Sequence, residues 1–184
     1  SARRINEVLS TNPKILNGTV TETAESDKGT IEFKNVSFKY PDASDYVLRD
    51  ISFKAEKGKT IAFIGATGSG KSTLINLIPR FYDATDGDVL VDGVNVKEYD
   101  IESLNNKLGY VPQKAVMFSG TVSSNVAYGN NGRDNYSADD IKQAIKIAQG
   151  TEFVEKMENQ YEGAIAQGGS NISGGQKQRL AIAR

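Results

Sequence analysis

A glycine-rich segment at residues 65–72 carries the clearest chemical pattern in the sequence. It reads Gly-Ala-Thr-Gly-Ser-Gly-Lys-Ser, and a glycine with four further residues before Gly-Lys-Ser is typical of a loop that binds nucleotide phosphates. The glycines allow a tight turn that aims several backbone N–H groups at one point, and Lys71 adds a positive charge for the β- and γ-phosphates. The Ser72 hydroxyl is placed to ligate a bridging Mg²⁺. The residues predicted to contact the nucleotide are Gly65, Ala66, Thr67, Gly68, Ser69, Gly70, Lys71, Ser72 and Thr73.

The segments on either side of this loop are predicted to be a strand and a helix. Residues 60–64 form a short continuous apolar run after Gly58, which is typical of a strand buried on both faces. After the loop, a helix is predicted that Pro79 disturbs or ends, and its apolar side is formed by Leu74, Ile75, Leu77 and Ile78. A strand followed by a helix is the first half of a βαβ unit, and this is the context that the phosphate-loop pattern requires.

The remaining patterns predict β structure on both sides of the loop and helices near the two ends of the chain. Residues 31–38 alternate with a phase slip at Lys34–Asn35, which indicates a bulge, and residues 47–53 form a second such run. Asp92-Gly93 between two apolar runs predicts a hairpin, and residues 108–111 predict a strand. Residues 1–9 and the segment after Ser137 show helical spacing, and Ser137 with Asp140 three residues later resembles a capping box. Residues 11–28 form a polar connector.

Composition excludes several classes of protein. The 184 residues fit one domain or a piece of one, and 22 basic against 23 acidic residues leave a net charge of −1, so no basic excess favours nucleic acid. Cysteine and histidine are both absent, which excludes disulfides, thiolate metal sites and histidine catalysis. The longest strongly apolar stretch, residues 61–66, is far shorter than the roughly 18 residues of a membrane span.

A second motif near the end of the chain narrows the class. Residues 172–179 read Ile-Ser-Gly-Gly-Gln-Lys-Gln-Arg, and Ser173 with Gln176 three residues later predicts a capping box at the start of a helix. An ordinary helix cap after a flexible loop is the alternative interpretation of this motif on its own. Considered together with the phosphate loop, the motif at residues 172–179 indicates a second helix whose N-terminus faces a phosphate.

Together these motifs make the sequence resemble the nucleotide-binding domain of an exporter-type ATP-binding cassette (ABC) transporter. Residues 65–73 resemble the Walker A loop of that family, and the signature motif is matched by Ser173, Gly174, Gly175 and Gln176. Gln113 resembles the Q-loop glutamine, which implies a second Mg²⁺ ligand beside Ser72 and, with Lys71, a catalytic role. Tyr40 resembles the aromatic residue that stacks on adenine.

The resemblance implies an α/β fold: a P-loop NTPase cassette core with an antiparallel β subdomain and an α-helical signature subdomain at residues 136–184. Residues 1–28 are expected to be the linker from the last membrane helix, and residues 29–184 the N-terminal part of the domain. The sequence stops at Arg184, before the position of the family's Walker B strand. We therefore expect the hydrolytic part to be missing and the fragment alone to be inactive and soluble.

The function implied is that of an ATP- and Mg²⁺-binding motor that hydrolyses ATP to power export, at the cytoplasmic face of the cell membrane. Its expected partners are the transmembrane domain of the same polypeptide and a second nucleotide-binding domain, paired head to tail as a homodimer or heterodimer, with no nucleic acid. Two alternatives remain. One is a soluble ABC ATPase, although no sustained heptads lie between Gln113 and Ile172. The other is a nucleotide-binding regulatory module without turnover.

Overall fold

A computed structural model describes residues 2–129 and 136–184, so Ser1 of the predicted first helix lies outside the described residues. The chain divides into two compact units, Ser1–Leu108 and Gly109–Arg184. The described helices and strands of the first unit are α1 (Ala2–Leu9), β1 (Ile31–Phe38), β2 (Leu48–Ala55), α2 (Lys71–Leu77), β3 (Asp86–Val91), β4 (Val94–Asn95) and α3 (Ile101–Asn105).

The strands of the first unit form one antiparallel sheet in the order β2-β1-β3-β4. The predicted slip in β1 is confirmed, because the register with β2 shifts between Phe33 and Val36 and Asn35 has a φ of +48°. The predicted hairpin is confirmed as well, with β3 paired to β4 across Asp92 and Gly93. Their φ angles of +49° and +76° are the left-handed pair that a two-residue hairpin turn requires.

Helix α2 packs on this sheet and contributes to the core of the first unit. Phe33, Val36 and Val89 from the sheet are buried with Leu74 and Leu77 from α2. Removing such side chains from water is the main source of stability for a domain of this kind. The helix that follows the phosphate loop is therefore held firmly by its apolar side, as the spacing predicted.

Two strand predictions are wrong. Residues 60–64 are not a strand and are not buried on both faces, since Ile64 is 96% exposed. Residues 108–111 are not a strand either, and Tyr110 and Val111 are exposed. A strand buried in a parallel sheet needs neighbouring strands for its backbone hydrogen bonds and apolar cover. Among the described residues, no such neighbour pairs with either run. Of the predicted strand, loop and helix at residues 60–78, only the loop and the helix are therefore present.

The polar connector is fixed to the first unit by backbone hydrogen bonds. The N–H of Gly18 donates to the Tyr99 carbonyl at 2.9 Å, and that of Val20 donates to the Glu98 carbonyl at 2.9 Å. Val20 also forms an isolated parallel bridge with Tyr99. These bonds satisfy connector groups that no regular element would pair.

The second unit is mainly helical. Its described elements are β5 (Gly120–Thr121), α4 (Val122–Val126), α5 (Ala138–Ile147), α6 (Thr151–Glu155), β6 (Ala164–Ile165) and α7 (Gly174–Ala183). Strands β5 and β6 pair with each other, and the helices enclose a separate core that includes Val122, Ile145 and Leu180. The capping boxes predicted at Ser137 and Ser173 are both present, which confirms the starts of α5 and α7.

Candidate functional site

The loop at residues 65–72 has the tight turn that its glycines predict. Gly68 and Gly70 have φ angles of +83° and +87°, which side chains rarely adopt, and the Ser69 N–H donates to the Ala66 carbonyl at 3.2 Å. A Cβ on Gly70 would lie 2.8 Å from Leu48 Cδ2. A glycine is therefore required at position 70 for two reasons: the left-handed backbone conformation and the close approach of Leu48 in β2.

The ammonium group of Lys71 lies on the loop itself. Its Nζ donates to the Gly65 carbonyl at 2.8 Å, to the Ala66 carbonyl at 2.7 Å and to the Ser69 hydroxyl at 3.2 Å. The sequence predicted a mobile charge for phosphate, and it did not indicate these three bonds. They concentrate positive charge at the loop, and an incoming phosphate must share or replace them.

The next two residues of α2 have different surroundings. Ser72 is exposed, and its hydroxyl has no hydrogen-bond partner among the residues that the structure describes. Thr73 is only 6% exposed, and its Oγ1 lies 2.8 Å from the hydroxyl oxygen of Tyr40. The structure thus brings Tyr40 to the helix that begins at Lys71, although the two residues are far apart in the sequence.

The Tyr40 ring lies in an aromatic cluster beside a large cavity. Its ring meets Phe38 edge-on at 4.9 Å between centroids and Tyr82 at 5.2 Å and 90°. The cavity measures about 970 Å³ and is bordered by Tyr40, Tyr82 and the connector segment 13–15. A half-buried ring at the wall of such a space can stack on a flat heterocycle. Sequence reasoning missed Tyr82, because no local spacing relates it to Tyr40.

The second unit holds Gln113 and the signature residues. The side chain of Gln113 is exposed, and its backbone carbonyl accepts a 2.7 Å hydrogen bond from the Gln178 amide of α7. The Ser173 N–H donates to Gln176 Oε1 at 2.8 Å, and the Gln176 N–H donates to Ser173 Oγ at 3.3 Å. This reciprocal pair fixes the first turn of α7.

The two signature glycines differ from those of the phosphate loop. Gly174 and Gly175 are exposed, and a Cβ built on either would meet nothing within 4 Å. Neither glycine has a positive φ. Packing within the described chain therefore gives no reason for a glycine at these positions.

A cluster around Arg184 was also missed by sequence reasoning. Its guanidinium lies 5.6 Å from the ring centroids of Phe118 and Tyr128, which stack on each other at 4.1 Å, and it donates to the Asn125 carbonyl at 2.9 Å. Burial lowers the pKa of Arg184 from its ordinary value. The aromatic residues lie in a segment without helical or strand periodicity, so no spacing signal pointed to this cluster.

Within the described residues, no helix has both the length and the apolar character needed to span a membrane.

A lysine-bearing glycine loop that leads into a partly buried helix is typical of P-loop nucleotide-binding proteins, and here it has the helix but not the preceding strand among the described residues. The family model described as ABC transporter matches residues 48–184, which is more than half of the chain. The chain therefore belongs to the ABC transporter family, and the predicted α/β cassette fold is confirmed.

Individual relatives place the chain among exporter-type domains. It is 44% identical over 177 residues to an ATP-dependent lipid A-core flippase of Haemophilus influenzae (strain 86-028NP), covering 96% of this chain and 30% of that protein. It is 43% identical over 170 residues to a putative multidrug export ATP-binding/permease protein of Staphylococcus aureus (strain NCTC 8325 / PS 47), covering 92% of this chain and 29% of that protein. The solved structure of a bacterial Atm1-family ABC exporter with ATP bound superimposes with a TM-score of 0.88 and 32% identity, over 99% of this chain and 31% of that one.

These matches confirm the predicted ABC transporter family and the predicted resemblance to exporters of that family. The chain spans about three tenths of the length of the curated relatives it matches.

Proposed function

We propose that this chain binds Mg·ATP, with the triphosphate on the loop at residues 65–72 and the adenine on Tyr40, and that the whole protein uses ATP hydrolysis to power export across a membrane. The observation that carries the proposal is the arrangement around α2. The Lys71 ammonium lies on the glycine loop, and the Tyr40 hydroxyl lies 2.8 Å from Thr73 on the same helix.

The phosphates would be bound by exchange of hydrogen bonds on the loop. Lys71 now donates to two backbone carbonyls and one hydroxyl, all of which are uncharged. Phosphate oxygens carry negative charge and form stronger bonds with an ammonium group than neutral acceptors do. The loop N–H groups add donors without adding net charge, which is the usual way in which such loops hold phosphate.

For Mg²⁺ the available donors have suitable chemistry. Ser72 offers an exposed hydroxyl oxygen, and Gln113 in the second unit offers an exposed amide; both supply the hard oxygen ligands that this ion prefers. When bound, Mg²⁺ would neutralise part of the phosphate charge. We assign the first ligand to Ser72 from its place beside Lys71, and the second to Gln113 from its match to the family's Q-loop.

The signature residues would complete the nucleotide site of a partner domain. Two exposed glycines at the start of α7 leave the backbone of this turn open to approach, and the capping box between Ser173 and Gln176 keeps the turn ordered. These features support a head-to-tail pair, homodimeric or heterodimeric, in which each nucleotide lies between the phosphate loop of one domain and the signature of the other. The transmembrane domain of the same polypeptide would then respond to closure of the pair, at the cytoplasmic face of the membrane.

ATP hydrolysis by the whole protein tests this function. We expect Mg²⁺-dependent phosphate release that is lost when Lys71 is replaced by alanine and that accompanies transport in reconstituted vesicles. Binding of ATP without release of phosphate would instead favour a regulatory module. Release of phosphate without any effect on a membrane-embedded transport process would favour a soluble ABC ATPase.

A further inference from the structure

The Tyr40 ring is restrained in three ways. Phe38 and Tyr82 contact it edge-on, with centroids at 4.9 Å and 5.2 Å, and Thr73 Oγ1 lies 2.8 Å from its hydroxyl oxygen. The first two contacts restrain the plane of the ring. The third acts on the far end of the side chain, where a small change in χ1 produces the largest displacement.

Thr73 is a rigid anchor for this bond. It is 6% exposed and lies in the first turn of α2, two residues after Lys71. The first intrahelical bond, from the Leu74 N–H to the Gly70 carbonyl at 2.9 Å, fixes that turn to the end of the phosphate loop. The Tyr40 hydroxyl is therefore held at a set distance from the turn that carries the lysine.

We propose that Thr73 is a positioning residue that, through its hydrogen bond to the Tyr40 hydroxyl, holds the stacking ring at the spacing from the phosphate loop that a nucleoside triphosphate spans. The proposal rests on the proposed function, because it requires the base to stack on Tyr40 while the phosphates occupy the loop. It makes the phenol hydroxyl, and not only the ring, a determinant of preference for ATP over inorganic triphosphate.

The physical reason is preorganisation. A ring that is already fixed loses little conformational freedom when a base stacks on it, whereas a ring free to rotate must be ordered at the moment of binding. A phenylalanine at position 40 would keep both edge contacts and lose only the bond to Thr73. The expected effect is therefore partial, about twofold to tenfold in affinity, which is the range that one neutral hydrogen bond produces.

Equilibrium binding to the 184-residue chain tests the proposal, with Mg·ATP and magnesium inorganic triphosphate measured separately by competition against radiolabelled ATP. Tyr40→Phe should raise the Kd for ATP by about twofold to tenfold and leave the Kd for inorganic triphosphate unchanged. Thr73→Val should raise the Kd for ATP by a larger factor than the Kd for inorganic triphosphate, because Thr73 also belongs to the segment predicted to contact phosphate. The double variant should be no weaker than either single one, and Thr73→Ser should restore the wild-type preference. Tyr46→Phe is the matched control, because it removes a phenol hydroxyl that bonds Asp86 at an exposed site.

Three results would overturn the proposal. If Thr73→Val lost the same factor in affinity for ATP and for inorganic triphosphate, Thr73 would act by contacting phosphate or by stabilising α2. Losses that multiply in the double variant would show that the two residues act independently, and an unchanged ATP preference in both single variants would show that the bond is irrelevant. If the proposed function itself is wrong, the result is different: neither Lys71→Ala nor Tyr40→Ala weakens the binding of ATP.

Discussion

Replacing Lys71 with alanine is the most direct perturbation of the site, and its effect can be worked out from the geometry. The ammonium group has three uncharged acceptors on the loop, at 2.8, 2.7 and 3.2 Å. All three contacts are exposed to solvent, so water can take the place of the lysine. We therefore expect the variant to keep its folding stability and to lose affinity for phosphate.

The size of the loss follows from the bonds that are exchanged. A unit charge at about 4 Å from the ammonium group contributes about 4 kcal/mol at an effective dielectric constant of 20. If two of the three loop bonds of Lys71 are given up, at a net cost of about 1 kcal/mol each, about 2 kcal/mol remains. That free energy corresponds to about a 30-fold increase in the Kd for ATP at 25 °C.

Titration calorimetry with Mg·ATP, together with thermal unfolding of the same samples, measures both quantities. Lys59→Ala is the matched control, because it removes the same charge from an exposed side chain outside the loop. Equal ATP affinity in Lys71→Ala and wild type would refute the site assignment. An equal loss in Lys59→Ala would show that net charge, and not the position of Lys71, governs binding.

Three further predictions concern the phosphate loop, the signature and the partly buried ion pair between Asp92 and Lys107. Gly70→Ala should weaken ATP binding more than Gly68→Ala in a binding titration, because both have left-handed φ angles but only at Gly70 would a Cβ meet a side chain within 3 Å. Ser173→Arg in the whole protein should block ATP-driven pairing in a cross-linking assay and leave the ATP affinity of the unpaired domain nearly unchanged. Burial raises the pKa of Asp92, but the Gly29 N–H and the Lys107 ammonium outweigh it and hold the pKa below its ordinary value. The charged form therefore stabilises the fold above about pH 4, and this contribution should be lost as the pH falls further, with a shallower loss in Asp92→Asn in pH-dependent denaturant unfolding.

Local features of the fold were predictable from the sequence. The Asp92-Gly93 turn, the slip near Asn35 and the caps at Ser137 and Ser173 each depend on residues only a few positions apart, so their patterns carry the full cause. Residues 60–64 show the opposite case. Their apolar run indicates what a strand would need, but a strand forms only where another strand supplies its hydrogen bonds, and no described residue does so.

In the candidate site, too, some features were predictable from the sequence and others were not. The pattern at residues 65–72 predicted the loop, because the turn is dictated by where its glycines fall. The three bonds of Lys71 were not predictable, since a flexible side chain can reach many acceptors and its choice depends on the final geometry. The bond between Tyr40 and Thr73 joins residues 33 positions apart, and it exists only because α2 packs on the sheet whose strand β1 ends two residues before Tyr40.

The glycines of the phosphate loop and those of the signature differ in whether the chain itself requires them. At Gly68 and Gly70 the chain itself requires glycine, since both backbones are left-handed. At Gly174 and Gly175 it does not, and each glycine in a helix costs up to about 1 kcal/mol relative to alanine. The start of α7 thus accepts a loss of stability for which the described residues provide no internal reason. A close approach by a group outside the chain provides one, because a side chain on this exposed turn would project toward whatever binds there, and the phosphate of a partner's nucleotide is the group that the proposed pairing brings to it.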